Sequence, residues 1–203
     1  ALFNQEKVLT AFKAERVGTH HFTTSTGYGY GDVGRETLER VFARAFGAEA
    51  ALVRQQIVSG THAINLGLSG LLRPGDELIF ATGLPYATLR TVCGLEGNRP
   101  GNLQEYGVKI KVIPLRPEGE IDQERLLDAL TARTRMVAFQ RSCGYENRRS
   151  FTIGQLAPVF AALRRLPKPP VIFVDNCYGE FVEQEEPLAA GADLIAGSLI
   201  KNP

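Results

Sequence analysis

Several residues in this sequence are of types, and in positions, that could do chemistry together. Lys201 closes the run Gly197-Ser198-Leu199-Ile200-Lys201, which is apolar apart from one hydroxyl. An amine buried in such surroundings loses its proton more readily and becomes nucleophilic towards an aldehyde. Asp175 directly follows Val171-Ile172-Phe173-Val174, so its carboxylate is expected at the carboxyl end of a strand, where it could pair with a cationic ring nitrogen. Ser59-Gly60-Thr61 stands just ahead of an apolar, helix-periodic segment. Gly60 lets the backbone approach closely, and the free N–H groups of a helix start point at an anion. Ser198 adds a hydroxyl that could bind the same anion. Tyr86, in Gly83-Leu84-Pro85-Tyr86-Ala87-Thr88, offers a flat aromatic face. An amine, a carboxylate, a phosphate cradle and a ring platform are what pyridoxal 5'-phosphate asks of a protein. Each residue has a plainer reading alone: a solvated lysine, a strand-terminal aspartate capping a turn, Ser59 as an ordinary helix cap, Tyr86 as packing. Their joint order along the chain points to the cofactor.

The elements that must position these residues alternate. Asn4 to Arg16 reads as a helix with Val8, Leu9 and Phe12 on one face, and Thr19 to Gly34 is irregular and rich in Thr and Gly. From Arg35 the spacing of Leu38, Val41, Phe42 and Ala45 predicts a helix that Gly47 stops. Strands are predicted at Ala50–Val53, Glu77–Phe80, Lys109–Ile113, Met136–Phe139, Val171–Val174 and Leu194–Ala196. Between them, helices are expected from Thr61 to Leu72, from Tyr86 to Cys93, from a cap at Asp122 to Leu130, and from a Thr152/Gln155 capping box to Arg165. Strands apolar on both faces, alternating with helices, predict an α/β fold with a mostly parallel sheet covered by helices on both faces. Ligands of such sheets bind beyond the carboxyl ends of the strands. The division expected is an N-terminal helix and active-site loop over 1–34, followed by a cofactor-binding domain over 35–203.

Two motif matches are set aside. Gly29-Tyr30-Gly31-Asp32-Val33-Gly34 fits G-x-G-x-x-G, with Glu49 at a suitable distance, but His21 to Thr26 lacks the apolar strand that a dinucleotide site needs in front of it. Ser198 to Lys201 fits S-x-x-K, but its companion motifs S-D-N and K-T-G do not occur. The chain has 203 residues, 44% hydrophobic and 22% charged, with a net charge of +1. That balance gives no reason to expect nucleic acid or an acidic membrane as partner, and no apolar run is long enough to span a bilayer. Cys93, Cys143 and Cys177 read as free thiols of a reducing cytoplasm, and His20, His21 and His62 form no metal motif. The start, Ala1 to Lys7, is no signal peptide, and without an initiator Met further residues are expected ahead of it.

The chemistry-bearing segments also resemble fold-type-I pyridoxal-phosphate enzymes of the cystathionine and methionine gamma-lyase group. The resemblance is closest to the aluminium-resistance, methionine gamma-lyase-like family. It is carried by Gly27-Tyr28-Gly29-Tyr30-Gly31-Asp32, Ser59-Gly60-Thr61-His62-Ala63-Ile64, Pro85-Tyr86-Ala87-Thr88-Leu89, Gln140-Arg141-Ser142, Asp175-Asn176-Cys177-Tyr178-Gly179-Glu180-Phe181 and Gly197-Ser198-Leu199-Ile200-Lys201-Asn202-Pro203. It implies the large domain of an aspartate-aminotransferase-like transferase fold. In that likeness Lys201 forms the Schiff base, Asp175 pairs with the ring nitrogen, Gly60, Thr61 and Ser198 hold the phosphate, and Tyr86 stacks on the ring. Tyr28 or Tyr30 would reach a neighbouring subunit's site, which implies a homodimer or homotetramer. An Arg near that tyrosine is absent from Gly27–Gly34, so that contact is either missing or supplied elsewhere, with Arg35 as a candidate; Arg141 reads as a surface residue, with a ligand contact as the weaker alternative. Family members continue past the lysine into a small domain with an Arg for the substrate carboxylate. With the sequence ending at Pro203, the chain is expected to be a fragment or to lack those residues, and to hold cofactor without completing catalysis.

The reaction so implied is α-proton abstraction by Lys201 from a sulfur-containing amino acid, then β- or γ-elimination of a thiol. An aminotransferase, desulfurase or aldolase on the same fold, a non-catalytic cofactor-fold protein, and a nucleotide-binding domain remain as alternatives.

Overall fold

The computed structural model describes residues 1–25, 31–97 and 99–201. Two compact units divide at Val58 and Ser59. The first unit holds α1 (Leu2–Ala14), a 3-10 turn (Thr19–Phe22) and α2 (Val33–Phe46). α2 starts where Asp32 accepts a hydrogen bond from the Arg35 amide and stops where Gly47 adopts φ 69°, a left-handed conformation that glycine takes without strain. Two expectations fail in this unit. Ala50–Val53 is not a strand: the Val53 amide donates instead to the Glu39 carboxylate, 2.9 Å away, so the run is tied to α2 by a side chain. The stretch after Thr19, expected to be irregular throughout, opens with that 3-10 turn. Helix α1 forms where predicted, but Leu9 and Phe12 stay exposed while Asn4 and Ala11 are buried.

The second unit is a five-stranded, all-parallel sheet in the order β2-β1-β3-β4-β5. Its strands are β1 (Glu77–Phe80), β2 (Lys109–Val112), β3 (Thr134–Gln140), β4 (Val171–Asp175) and β5 (Leu194–Ala196). Its helices are α3 (Gly60–Leu71), α4 (Ala87–Cys93), α5 (Gln123–Asp128) and α6 (Ile153–Arg164). Because side chains alternate along a strand, the two faces have separate cores. Leu78, Phe80, Met136, Ala138 and Phe173 pack with Ile64 and Leu68 of α3 and with Leu89 and Cys93 of α4. Ile79, Val137, Phe139, Ile172 and Val174 pack with Leu126 of α5 and with Leu156, Phe160 and Leu163 of α6. Helices therefore cover both faces, as the doubly apolar strands predict. Gly67 brings α3 close to the sheet, since a Cβ there would lie 3.1 Å from the Phe173 ring. The caps at Asp122 and at Thr152/Gln155 form as the sequence predicts.

The strand order reverses between β1 and β3, and the crevice beyond the carboxyl ends of such strands is where open α/β sheets bind ligands. The opposite end of β1 is held by Glu77, which is buried and accepts from Thr131 Oγ1 at 2.7 Å and Lys111 Nζ at 2.9 Å. These bonds hold its carboxyl below the usual range, the Thr131 hydroxyl first and the Lys111 ammonium second. A lowered folded-state value means the stabilisation is present above the unfolded value and is lost as pH falls through the folded one. Glu77→Gln is therefore expected to cost about 1–2 kcal/mol at neutral pH. Urea titrations across the acid range should show the gap from wild type closing as pH drops.

Candidate active site

The carboxyl ends of β3, β4 and β5 finish level, with Gln140 beside Asp175 and Asp175 beside Ala196. Alternation places Gln140 on the face of Met136 and Ala138, and Asp175 on the face of Phe173, which is the side of α3 and α4. Both polar side chains thus leave the apolar core where the sheet ends, next to the starts of those two helices.

Gly60, the first residue of α3, is the meeting point. A Cβ placed there would lie 3.0 Å from Cys177 Sγ, 3.4 Å from Ser198 Cβ and 3.5 Å from Lys201 Nζ. The helix start, the hydroxyl residue and the amine that the sequence nominates therefore converge on one small space. Ser59 caps α3, its Oγ accepting from the His62 amide at 3.1 Å. Tyr86 stands at the N-cap position of α4 without a side-chain capping bond; its amide donates to Gln140 Oε1 at 3.1 Å and its hydroxyl to Thr61 Oγ1 at 3.0 Å. Burial, with added repulsion from Asp175 and Cys177, pushes the Tyr86 phenol up to about 12, against the Thr61 hydrogen bond. Tyr86 accordingly stays protonated at neutral pH and is suited to be a platform rather than a base.

Asp175 is 5% exposed, and its Oδ1 accepts from the Cys177 amide at 3.1 Å. Burial raises its carboxyl above the usual range, while the Cys177 bonds and the Lys201 charge pull it back. A buried carboxylate whose ionisation is penalised in this way is matched to a cationic partner. Burial and Asp175 push the Cys177 thiol up to about 12, which removes it as a nucleophile at neutral pH. Tyr28 and Tyr30, nominated for a neighbour's site, lie outside the described residues. In front of Gly31, residues 19–22 form the 3-10 turn, and no strand is found among the described residues there.

Two residues differ from expectation. Lys201 is exposed, as are Leu199 and Ile200, because the apolar run continues into a turn instead of packing under the sheet. Arg141, read as a surface residue, is 3% exposed. Its guanidinium donates to Phe151 O at 3.1 Å, Asn176 Oδ1 at 2.9 Å and Gly179 O at 2.8 Å, and pairs with Glu183. These partners satisfy a charge that would otherwise be costly to bury. Two contributors escape the sequence-based reading. Gln140 orients Tyr86, and buried Glu180 accepts from the Ser198 amide at 2.6 Å, tying the Lys201 turn to the loop after β4. A Cβ at Gly197 would lie 2.6 Å from Glu180 Oε1, so glycine is needed there. Neither role has a local sequence signal, since both are defined by residues distant in the chain.

Comparison with known proteins bears on this arrangement. Residues 1–203 match the family model described as methionine gamma-lyase. The chain belongs to that family. A Listeria innocua protein, provisionally described as a cystathionine beta-lyase involved in aluminum resistance, has a crystal structure that superposes with a TM-score of 0.96. It shares 52% identity over 99% of this chain and 49% of its own. The uncharacterized Bacillus subtilis protein YnbB is 47% identical over 98% of this chain and 48% of its length. The L-methionine gamma-lyase of Pseudomonas putida is 28% identical over 86% of this chain and 39% of its own. This methionine gamma-lyase family chain thus spans about half the length of the Listeria and Bacillus relatives.

Two outcomes follow for the cofactor-free protein. A raised folded-state carboxyl gives a stability contribution that is complete below the unfolded value and disappears as pH rises through the folded one. Asp175→Asn should therefore gain in melting temperature relative to wild type as pH climbs out of the ordinary carboxylate range. A Cβ at Gly179 would lie 2.6 Å from Arg141 Nη1 and 2.7 Å from Asn176 Oδ1. Gly179→Ala should cost roughly 2–4 kcal/mol in denaturant unfolding, by forcing the buried guanidinium off its acceptors.

Proposed function

We propose that the whole protein is a pyridoxal-phosphate-dependent carbon–sulfur lyase acting on a sulfur-containing amino acid, and that this chain forms most of its cofactor-binding region. The observation that carries the proposal is the convergence of Gly60, Ser198 and Lys201 within 3.5 Å of one point, beside the buried Asp175. Gly60 leaves the backbone bare at the start of a twelve-residue helix, where free N–H groups favour an anion such as a phosphate.

When bound, the cofactor supplies an aldehyde that takes the substrate's amine and a cationic ring that draws electrons from the α-carbon. The backbone at Gly60 and Thr61, with Ser59 and Ser198, would hold the phosphate. Asp175 would keep the proton on the ring nitrogen, and that cation would in turn relieve the penalty on its own buried carboxylate. Tyr86, fixed by Gln140 and Thr61, would pack its face on the ring. Lys201 Nζ would hold the aldehyde carbon and, once displaced by substrate, take the α-proton as general base. The substrate class rests on the relatives: both a methionine gamma-lyase and a cystathionine beta-lyase, by name, cleave carbon–sulfur bonds. In this reading the protein is a cytoplasmic homodimer or homotetramer, with Tyr28 or Tyr30 lent to a neighbouring site.

Borohydride reduction of the full-length protein with pyridoxal phosphate, followed by peptide mapping, is expected to place the label on Lys201. Incubation with thio-amino acids should release thiol, keto acid and ammonia together. Label elsewhere, or an amino-group exchange without thiol, would defeat the assignment. Gly60→Ala should weaken cofactor binding severalfold in an absorbance titration and lower the apo melting temperature modestly, since its Cβ would press on the buried Cys177 Sγ.

A further inference from the structure

The loop after β4 holds two non-glycine residues in the left-handed region, Tyr178 at φ 69° and Phe181 at φ 58°. An aromatic side chain at such a φ is a strained choice, and it persists only where the surroundings dictate it. Here they do. The Asn176 amide donates to Ala196 O at 2.8 Å, the Gly179 amide to Asn176 O at 2.8 Å, and Arg141 Nη1 to Gly179 O at 2.8 Å. Asn176 is fully buried, and Phe181 is held through its amide by Glu186 at 2.9 Å. Despite this strained conformation Tyr178 is not a core residue, being 57% exposed. Its ring lies under the Lys201 amine, with Nζ 4.7 Å from the ring centroid. That distance is within the range for attraction between an ammonium and the negative face of an aromatic ring.

We propose that Tyr178 is a positioning residue: a resting dock for the Lys201 ammonium whenever its nitrogen is not carrying the cofactor. The inference rests on the cofactor role given to Lys201 above. The role fits the chemistry, because Lys201 is released as substrate binds and becomes an ammonium on taking the α-proton. A ring face beneath it keeps that long, otherwise mobile chain beside Gly60. Among the described residues, the ionisable groups that act on the amine include Asp175 at the end of β4 and Cys177 just after it, with the Tyr178 ring beneath the amine. Of these, Tyr178 alone has its ring in contact with Nζ among the described residues.

Three measurements on the full-length protein test the dock. In cofactor-free protein carrying reductively 13C-methylated lysines, the Lys201 signal should be displaced upfield by the Tyr178 ring current. Tyr178→Phe should keep the displacement and Tyr178→Leu should abolish it. A wild-type Lys201 signal among those of ordinary exposed lysines would overturn the proposal. Tyr178→Gly should melt higher than wild type, because glycine relieves the φ, yet lose the ring-current displacement. A lower melting temperature would mean that Tyr178 is merely structural. The ring favours only the cofactor-free ammonium, so the equilibrium constant for loading Lys201 should rise about two- to fivefold in Tyr178→Leu and stay unchanged in Tyr178→Phe. An unchanged or weaker constant in Tyr178→Leu would overturn the dock while leaving the cofactor assignment intact. Failure of wild type to load at Lys201 would instead sink the proposed function, with the ring-current result standing on its own.

Discussion

Arg141 leaves the end of β3 and buries its guanidinium against the loop that follows β4, bonding Phe151 O, Asn176 Oδ1, Gly179 O and Glu183. A buried arginine is tolerated only when its donors are satisfied, so the loop is held to the one path that satisfies them. From that path the rest of the site follows. Asp175 accepts from the backbone of Cys177, Tyr178 is turned outward, and Glu180 is turned in to receive the Ser198 amide. Lys201 is therefore located, through Ser198 and Glu180, by a charge just beyond the end of β3. The side chains expected to do chemistry are few, and most of the polar groups around them serve to fix one loop.

The sheet contributes a second constraint. In a parallel sheet buried on both faces, polar side chains are expelled from the strands and gather at their ends. Gln140 and Asp175, paired in register, are where polarity returns on β3 and β4. The helix starts at Gly60 and Ala87 lie on the same side, so backbone amides, a buried carboxylate and the capping hydroxyl of Ser59 share one rim. Nothing in this arrangement requires a special fold. It is the ordinary geometry of an open α/β sheet with particular residues at its edge.

Much of this was legible in the sequence. The apolar runs at Leu78–Phe80, Met136–Phe139 and Val171–Val174 read as buried strands, and the capping signals at Ser59, Asp122 and Thr152 marked helix starts by local chemistry. Asp175, Gly60, Tyr86 and Lys201 were identifiable because they follow strands directly or open helices. What stayed hidden depends on contacts between distant segments. Arg141 looks like any loop arginine until Asn176, Gly179 and Glu183 are brought against it. The apolar neighbours of Lys201 make burial conceivable, yet Leu199 and Ile200 are exposed. The Ala50–Val53 run shows the complementary error, since a short apolar stretch has strand character but finds no strand partner.

The alternation along β4 has a consequence for how this family can vary. Phe173 and Asp175 face α3, while Ile172 and Val174 face α6. Adding or losing a single residue within β4 would invert that parity, driving the carboxylate into the α6 core and presenting a valine to the rim. Insertions in pairs would preserve the facing but overshoot the level set by Gln140 and Ala196. Length changes among homologues should therefore collect in the connections around β4, and the strand itself should be frozen in length even where its hydrophobic residues interchange freely.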